Sequence, residues 1–205
     1  MTSATDTIRV LHVDDNPDLG ELVAVSLERE DDRFSVTTAT SPDDAMDVLG
    51  AQDIDCIVSD YDMPKTDGIE FLETVRADHP DFPFILYTGK GSEEIASEAV
   101  SAGVTDYLQK EGGTSQYAVL ANRITNAVEQ YRSTRALEAS QKRLSLFFEQ
   151  SPLGVVEWTQ EFEFARLNEA AEEILGYDES ELLGEPVKKI VGESDQEAVA
   201  GVVGA

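Results

Sequence analysis

Four apolar runs in this 205-residue chain each lead into a residue that could do chemistry. Val10-Leu11-His12-Val13 ends in Asp14-Asp15, Ile57-Val58 leads to Asp60, Phe84-Ile85-Leu86-Tyr87 leads to Thr88, and Tyr107-Leu108 precedes Lys110. Around Asp60 the stretch VSDYDMPKTDG adds Asp62 and Asp67-Gly68, although turn residues alone are an ordinary account of such a segment. Singly each residue has a bland explanation, Thr88 as a helix cap or Lys110 as a solvated amine. Their joint appearance is the signal. Clustered carboxylates repel one another unless a cation joins them, and a few hard oxygen ligands that leave room for water suit Mg²⁺ better than a closed calcium cage. A carboxylate beside Mg²⁺, facing an ammonium and a hydroxyl, is equipped to receive a phosphoryl group. Asp60 is then the nucleophile, Lys110 offsets charge on the phosphoryl oxygens, and Thr88 donates a hydrogen bond. Two competing motifs fail on spacing. Pro64 and Lys65 stand where an EF-hand needs a ligand and a glycine, and Phe84 holds the first glycine's place in a P-loop ending at Gly89-Lys90-Gly91-Ser92.

Such residues converge only if the chain folds to bring strand ends together. Between the apolar runs lie segments with helical spacing: Leu19, Leu22, Val23 and Leu27 after Asn16-Pro17; a second start at Ser41-Pro42-Asp43-Asp44; Ile69, Leu72 and Val75; Ile95, Ala96, Ala99 and Val100; and Leu120, Ile124 and Val128. With Phe34 to Thr40 as a further strand, five strands alternate with five helices. This predicts an α/β fold, a parallel sheet with helices on both faces. In a 2-1-3-4-5 strand order, ligands bind at the carboxyl ends of the strands, and strand two, which carries no candidate residue, lies at the edge. From Arg132 to Glu149 the pattern stays helical, with Leu137, Leu144 and Phe148 as apolar positions. Two readings stay open for it, a short two-stranded coil between copies or a single amphipathic helix. Val155 to Trp158 and Phe162-Glu163-Phe164 then read as a hairpin, followed by a helix from about Glu169 to Leu175 and a polar helical piece through Leu183.

Composition excludes several functions. Lys and Arg number 15 against 42 Asp and Glu, a net charge of −27, and 41% of the residues are hydrophobic. Strong apolar periodicity argues against a disordered acidic chain, so the expectation is a folded domain with an acidic surface suited to a salt-rich, halophilic cytoplasm. No basic face is available to displace the counterions of duplex nucleic acid. Cys56 is the single cysteine and lies in an apolar run, where a small buried hydrophobe is the expected role. The polar N-terminus and the brevity of every apolar run predict no secretory signal and no membrane helix, hence a soluble, cytoplasmic protein. A kinase module is not expected: there is no glycine-rich nucleotide site, His12 lies in a strand and His79 precedes Pro80 in a turn.

The segments VLHVDDN at 10–16, VSDYDMPKTDGIEFL at 58–72, LYTGKG at 86–91 and GVTDYLQK at 103–110 together resemble the receiver domain of two-component response regulators, over about residues 7 to 131. The resemblance implies Asp60 as phosphoacceptor, with a histidine kinase or phosphotransfer protein as donor. It implies that Asp14, Asp15, Asp60 and the backbone carbonyl of Asp62 hold Mg²⁺, that Lys110 pairs with the phosphate, and that Thr88 and Tyr107 form a switch reshaping the fourth and fifth elements. One departure matters. The family follows its lysine with a cis-proline, whereas Glu111 follows Lys110; a cis bond there costs roughly 3 kcal/mol, so a trans bond is expected. Further on, FFEQSPLGVVEW at 147–158 and LNEAAEEILGYDESELLG at 167–184 resemble the beginning of a PAS sensor domain, which implies an incomplete domain without a named ligand, Asn168 and Trp158 being structural. The expected organisation is a receiver over 1–131, a helical linker over 132–149 and a PAS-like segment over 150–205, relaying a signal through the fifth helix to a sensor or output module, with homodimerisation through that helix. The alternatives are a Mg²⁺-dependent phosphatase of the haloacid-dehalogenase type, against which the early position of Asp14-Asp15 and the lack of room for a cap domain speak, and a ligand sensor whose α/β domain is passive. Beyond self-phosphorylation and autodephosphorylation, no enzymatic activity is implied.

Overall fold

The structure, a computed structural model, describes residues 7–89 and 92–190. The chain divides between Arg135 and Ala136 into two compact units.

In the first unit five strands, β1 (Ile8–Val13), β2 (Phe34–Ala39), β3 (Cys56–Ser59), β4 (Phe84–Thr88) and β5 (Asp106–Gln109), form a parallel sheet in the order β2-β1-β3-β4-β5. Between them run α1 (Pro17–Glu30), α2 (Pro42–Ala51), α3 (Gly68–Asp78) and α4 (Glu93–Ser101), and α5 (Ser115–Glu149) follows β5. Central strands covered on both faces must be apolar throughout, and β3 and β4 are buried at every position. Alternation sends Val10, Val58, Ile85 and Tyr87 toward Val23 and Leu27 of α1 and Leu120, Ile124 and Val128 of α5. It sends Leu11, Val13, Ile57, Phe84 and Leu86 toward Phe71, Leu72 and Val75 of α3 and Ala99 of α4.

Helix starts are cut by caps, two of them two or three residues past a strand end and the third, Asp67, at the end of the longer turn after β3. Asn16 accepts from the amides of Asp18 and Leu19, Ser41 from Asp44, and Asp67 forms a reciprocal box with Glu70. The caps at Asn16 and Ser41 turn the chain away from the ends of β1 and β2 within a few residues.

At the opposite end of the sheet Asp55 gathers two arginines. Arg9 Nε donates to it at 2.9 Å and Arg132 approaches at 2.8 Å, while Arg132 also donates to the Thr7 carbonyl at 2.8 Å. Burial pushes the Asp55 carboxyl upward, but the bonds from Arg9 and Arg132 outweigh it and hold the group below its ordinary value. Beyond Arg132, α5 runs without a break to Glu149.

In the second unit β6 (Val156–Trp158) and β7 (Phe164–Leu167) pair antiparallel, followed by α6 (Glu169–Leu175) and α7 (Glu179–Leu182). The second strand starts later than the Phe162 expected from sequence. Phe162 takes a left-handed φ of 58° and donates to the Thr159 carbonyl, so it belongs to the turn. Asn168 is fully buried and uses its whole amide: Oδ1 accepts from Val155 and Ala171, and Nδ2 donates to the carbonyls of Phe148 and Leu153. It ties the end of α5, the following loop and α6 together, a structural role, and Trp158 is half-exposed. The part of the expected PAS-like segment past Ile190 lies outside the described residues, as do the first residues of the expected receiver and Lys90-Gly91 of LYTGKG.

Candidate functional site

Each candidate residue is delivered by a strand end. The Asp60 amide donates to the Val13 carbonyl at 2.8 Å, continuing the β1–β3 ladder and holding Asp60 beside Asp14. Asp14 is 3% exposed and Asp60 8%, whereas Asp15 points to solvent. The Lys110 amide donates to the Thr88 carbonyl at 2.7 Å, extending the β4–β5 pairing by one residue. From there the Lys110 ammonium reaches Asp14 Oδ2 at 2.8 Å and Asp60 Oδ1 at 2.9 Å. Among the described residues no peptide bond is cis. The Lys110–Glu111 bond is therefore trans, as its sequence predicts, and the lysine reaches both carboxylates all the same.

The turn after β3 presses against the phosphoacceptor candidate. The Gly68 amide donates to the Tyr61 carbonyl, and a Cβ at Gly68 would stand 2.3 Å from the Asp60 carbonyl oxygen and 2.8 Å from Leu86 Cδ1. Only glycine lets α3 start this close to the β3 end. Lys65, in the same turn, takes a φ of 75°, a left-handed conformation that costs a side-chain-bearing residue roughly 1–2 kcal/mol. The Asp62 amide donates to Asp60 Oδ2 at 3.1 Å, so both carboxylate oxygens of Asp60 are engaged.

Asp14, Asp60 and Lys110 are thus drawn into direct contact, with Thr88, wholly buried, next to them through its carbonyl. Asp15 is not drawn in: among the described residues no three acidic, histidine or cysteine side chains stand close enough to share a metal ion. One ammonium occupies the place between the two carboxylates. Tyr107 is partly buried against the α3 and α4 side of the sheet, its hydroxyl buried without a hydrogen-bond partner among the described residues. His12 is wholly inside the fold with both ring nitrogens unbonded among the described residues, and burial pushes its pKa down to about 4. Two contacts were not foreseen from sequence. The Tyr87 ring lies under the Lys110 ammonium, 5.5 Å from centroid to nitrogen, and the Tyr87 hydroxyl bonds Gln116. In the sequence Tyr87 reads only as one more apolar strand residue.

The family description "Response regulator receiver domain" matches residues 10–122, more than half of the chain. The chain belongs to the response regulator receiver family. This makes it a phosphoacceptor component of two-component signalling and weighs against the phosphatase arrangement. A PAS domain description matches residues 142–203, so the receiver is followed by a PAS segment. NtrX, the nitrogen assimilation regulatory protein of Azorhizobium caulinodans, is 30% identical over 131 residues, 63% of this chain and 28% of that protein. The bacterioopsin transcriptional activator of Halobacterium salinarum is 29% identical over 189 residues, 87% of this chain and again 28% of that protein. The chain therefore spans under a third of either relative. Among solved structures, a receiver domain protein from Clostridium thermocellum superposes with a TM-score of 0.55 at 25% identity, covering 62% of this chain and 98% of that one. The chemotaxis protein CheY4 of Vibrio cholerae gives 0.53 at 27%, covering 58% and 98%. Receivers as a family bind Mg²⁺ at the phosphorylation site. No described helix here is long and apolar enough to cross a membrane.

Proposed function

We propose that Asp60 takes a phosphoryl group from a histidine kinase or phosphotransfer protein and that the receiver then passes a conformational signal to a downstream sensor or output module. The observation that carries this is the single ammonium of Lys110 bonded to both Asp14 and Asp60 at adjoining strand ends. An Asp60 oxygen attacks phosphorus as the donor's P–N bond breaks; the donor nitrogen keeps the electron pair and takes up a proton. The attacking oxygen must release a partner, the Lys110 ammonium or the Asp62 amide. Lys110 then follows the charge onto a phosphoryl oxygen, and the Thr88 hydroxyl donates to another. The drawing of Thr88 toward the phosphoryl group frees space into which the Tyr107 ring turns, so its buried hydroxyl changes surroundings with the state of Asp60.

The carboxylates of Asp14, Asp15 and Asp60 and the carbonyl of Asp62 are hard oxygen donors of the kind Mg²⁺ takes, and when bound the ion supplies positive charge to the phosphoryl oxygens. We assign the receiver to residues 1–131, a helical linker to 132–149 and the PAS-like segment to 150–205. Partner copies joining through α5 and the linker, and a cytoplasmic location, belong to the same reading. The transcriptional names of the relatives describe proteins of which this chain matches a small part, and a net charge of −27 speaks against this segment itself holding duplex DNA.

The full chain with Mg²⁺ and acetyl phosphate should take up a single, stoichiometric phosphoryl group, which Asp60→Asn abolishes; beryllofluoride should bind in its place and draw Thr88 inward. Labelling of Asp60→Asn at the wild-type level, or repeated release of phosphate without accumulation on the protein, would overturn the assignment.

A further inference from the structure

Tyr87 is the last residue before Thr88 on β4 and only 2% exposed. Packing at this position asks for nothing beyond an apolar side chain, as its neighbours Ile85 and Leu120 supply. A phenol here carries two extra contacts. Its ring face lies 5.5 Å from the Lys110 ammonium, within the range of cation–π attraction, at a place where the cation is mostly withdrawn from water. Its hydroxyl donates to Gln116 Oε1 at 2.6 Å, and Gln116 Nε2 donates to the Gly113 carbonyl at 3.0 Å. Burial raises the Tyr87 pKa to about 12, so the phenol keeps the proton it donates. Gln116 stands in the first turn of α5 and Gly113 in the loop leading to it. One side chain therefore touches both the ammonium between Asp14 and Asp60 and the start of the helix that leaves the receiver.

We propose that Tyr87 is a positioning residue: its ring holds the Lys110 ammonium over Asp60, and its hydroxyl ties that ring to the first turn of α5 through Gln116. This rests on the reading of Asp60 as phosphoacceptor and of Lys110 as the cation that follows the phosphoryl charge. The attraction between ring and ammonium favours positions of Nζ above the ring face, a restriction that the carboxylates alone do not impose. When charge arrives on Asp60 and Lys110 shifts, the ring shifts with it. The bond to Gln116 then moves or breaks, and the start of α5 registers the event on the face opposite Tyr107.

The test uses the full chain with Mg²⁺ and acetyl phosphate, in wild type, Tyr87→Phe, Tyr87→Leu and Gln116→Ala, with Asp60→Asn as control. Tyr87→Leu should slow phosphoryl uptake by about two- to tenfold, and Tyr87→Phe, which keeps the ring, should restore it. In wild type the Lys110 side-chain methylene protons should show an upfield ring-current shift, retained in the Phe variant and lost in the Leu variant. Beryllofluoride should change hydrogen exchange at Tyr117 to Leu120 in wild type. That change should be lost in Tyr87→Phe and in Gln116→Ala, both of which still take up phosphoryl groups. An unshifted Lys110 methylene signal in wild type, uptake by a folded Leu variant as fast as wild type, or an α5 response that survives in both Tyr87→Phe and Gln116→Ala overturns the proposal. The wild-type signal decides even if the Leu variant does not fold. Normal labelling of Asp60→Asn would instead sink the phosphoacceptor reading and leave these contacts a packing feature.

Discussion

Two glycines in the receiver should respond to alanine with opposite signs. At Gly68 an added Cβ meets the Asp60 carbonyl oxygen at 2.3 Å and Tyr61 Cα at 3.0 Å, both backbone atoms, and Leu86 Cδ1 at 2.8 Å. The backbone cannot swing aside as a flexible side chain would, so α3 must back away from the end of β3. Overpacking of this kind costs typically 1–3 kcal/mol, and because the clash lies with backbone the lower end is excluded, which sets the expectation at about 2 kcal/mol. Gly50, near the end of α2, has nothing within 4 Å of its added Cβ, so alanine there gains about 0.5–1 kcal/mol of helix preference. The assay is amide hydrogen exchange at Ile57 and Asp60, which donate to the carbonyls of Pro83 and Val13 inside the sheet and report the receiver independently of the second unit. Gly68→Ala should speed exchange there by about 30-fold, and Gly50→Ala should slow it by a few-fold. Phosphoryl uptake should fall with Gly68→Ala, because the displaced atom belongs to Asp60, and stay unchanged with Gly50→Ala. Exchange that is unchanged in Gly68→Ala, or a stabilisation by both alanines, would refute the reasoning from close approach.

Asn168→Ala leaves the buried Phe148 carbonyl and the part-buried Val155 amide and Leu153 carbonyl without their side-chain partner, while the Ala171 amide keeps its bond to the Asn168 backbone carbonyl; with about 1–3 kcal/mol for a buried unsatisfied group and less for part-buried ones, the second unit should lose about 2–3 kcal/mol, read from the fluorescence of Trp158, the single tryptophan. Asp55→Asn should destabilise the receiver by about 1–2 kcal/mol at neutral pH by weakening its ties to Arg9 and Arg132. Because the folded-state pKa of Asp55 lies below the ordinary 3.8, the stability it adds is fully present above that value and lost as pH falls through the lower folded one. The gap between wild type and variant in urea titrations should therefore close below pH 3.8 and hold constant above it. Self-repulsion from a net charge of −27 should make the melting temperature rise with molar KCl; a flat or falling trend would remove the argument for a salt-rich habitat.

Sheet order and the rim of Asp14, Asp60, Thr88 and Lys110 were legible because both follow from one alternation, an apolar run ending in a polar residue and then a capped helix. What strand ends do not reveal is how far a side chain turns. Asp14 and Asp15 are adjacent and alike, yet alternation buries the first and sends the second to solvent. Tyr87 looked like core because its periodicity is that of core; its hydroxyl matters only through Gln116, far along the chain. The start of β7 was misplaced because Phe162 has the apolar, aromatic character of a strand residue while its backbone adopts a left-handed turn. The run of α5 past Tyr131 was legible, because the helical pattern continues from Arg132 to Glu149 with Leu137, Leu144 and Phe148 as its apolar positions.

Every residue of α5 from Ser133 to Phe147 is exposed, so this stretch has no burial to help hold its helical backbone. A helix of such length without packing is marginal in water, so in a chain not joined to a second copy through it this stretch should open before the two sheets do. Arg135, Lys142 and Arg143 all lie within it. Brief digestion with trypsin should therefore cut the chain here first and yield two resistant fragments, one bearing Asp60 and the other Asn168.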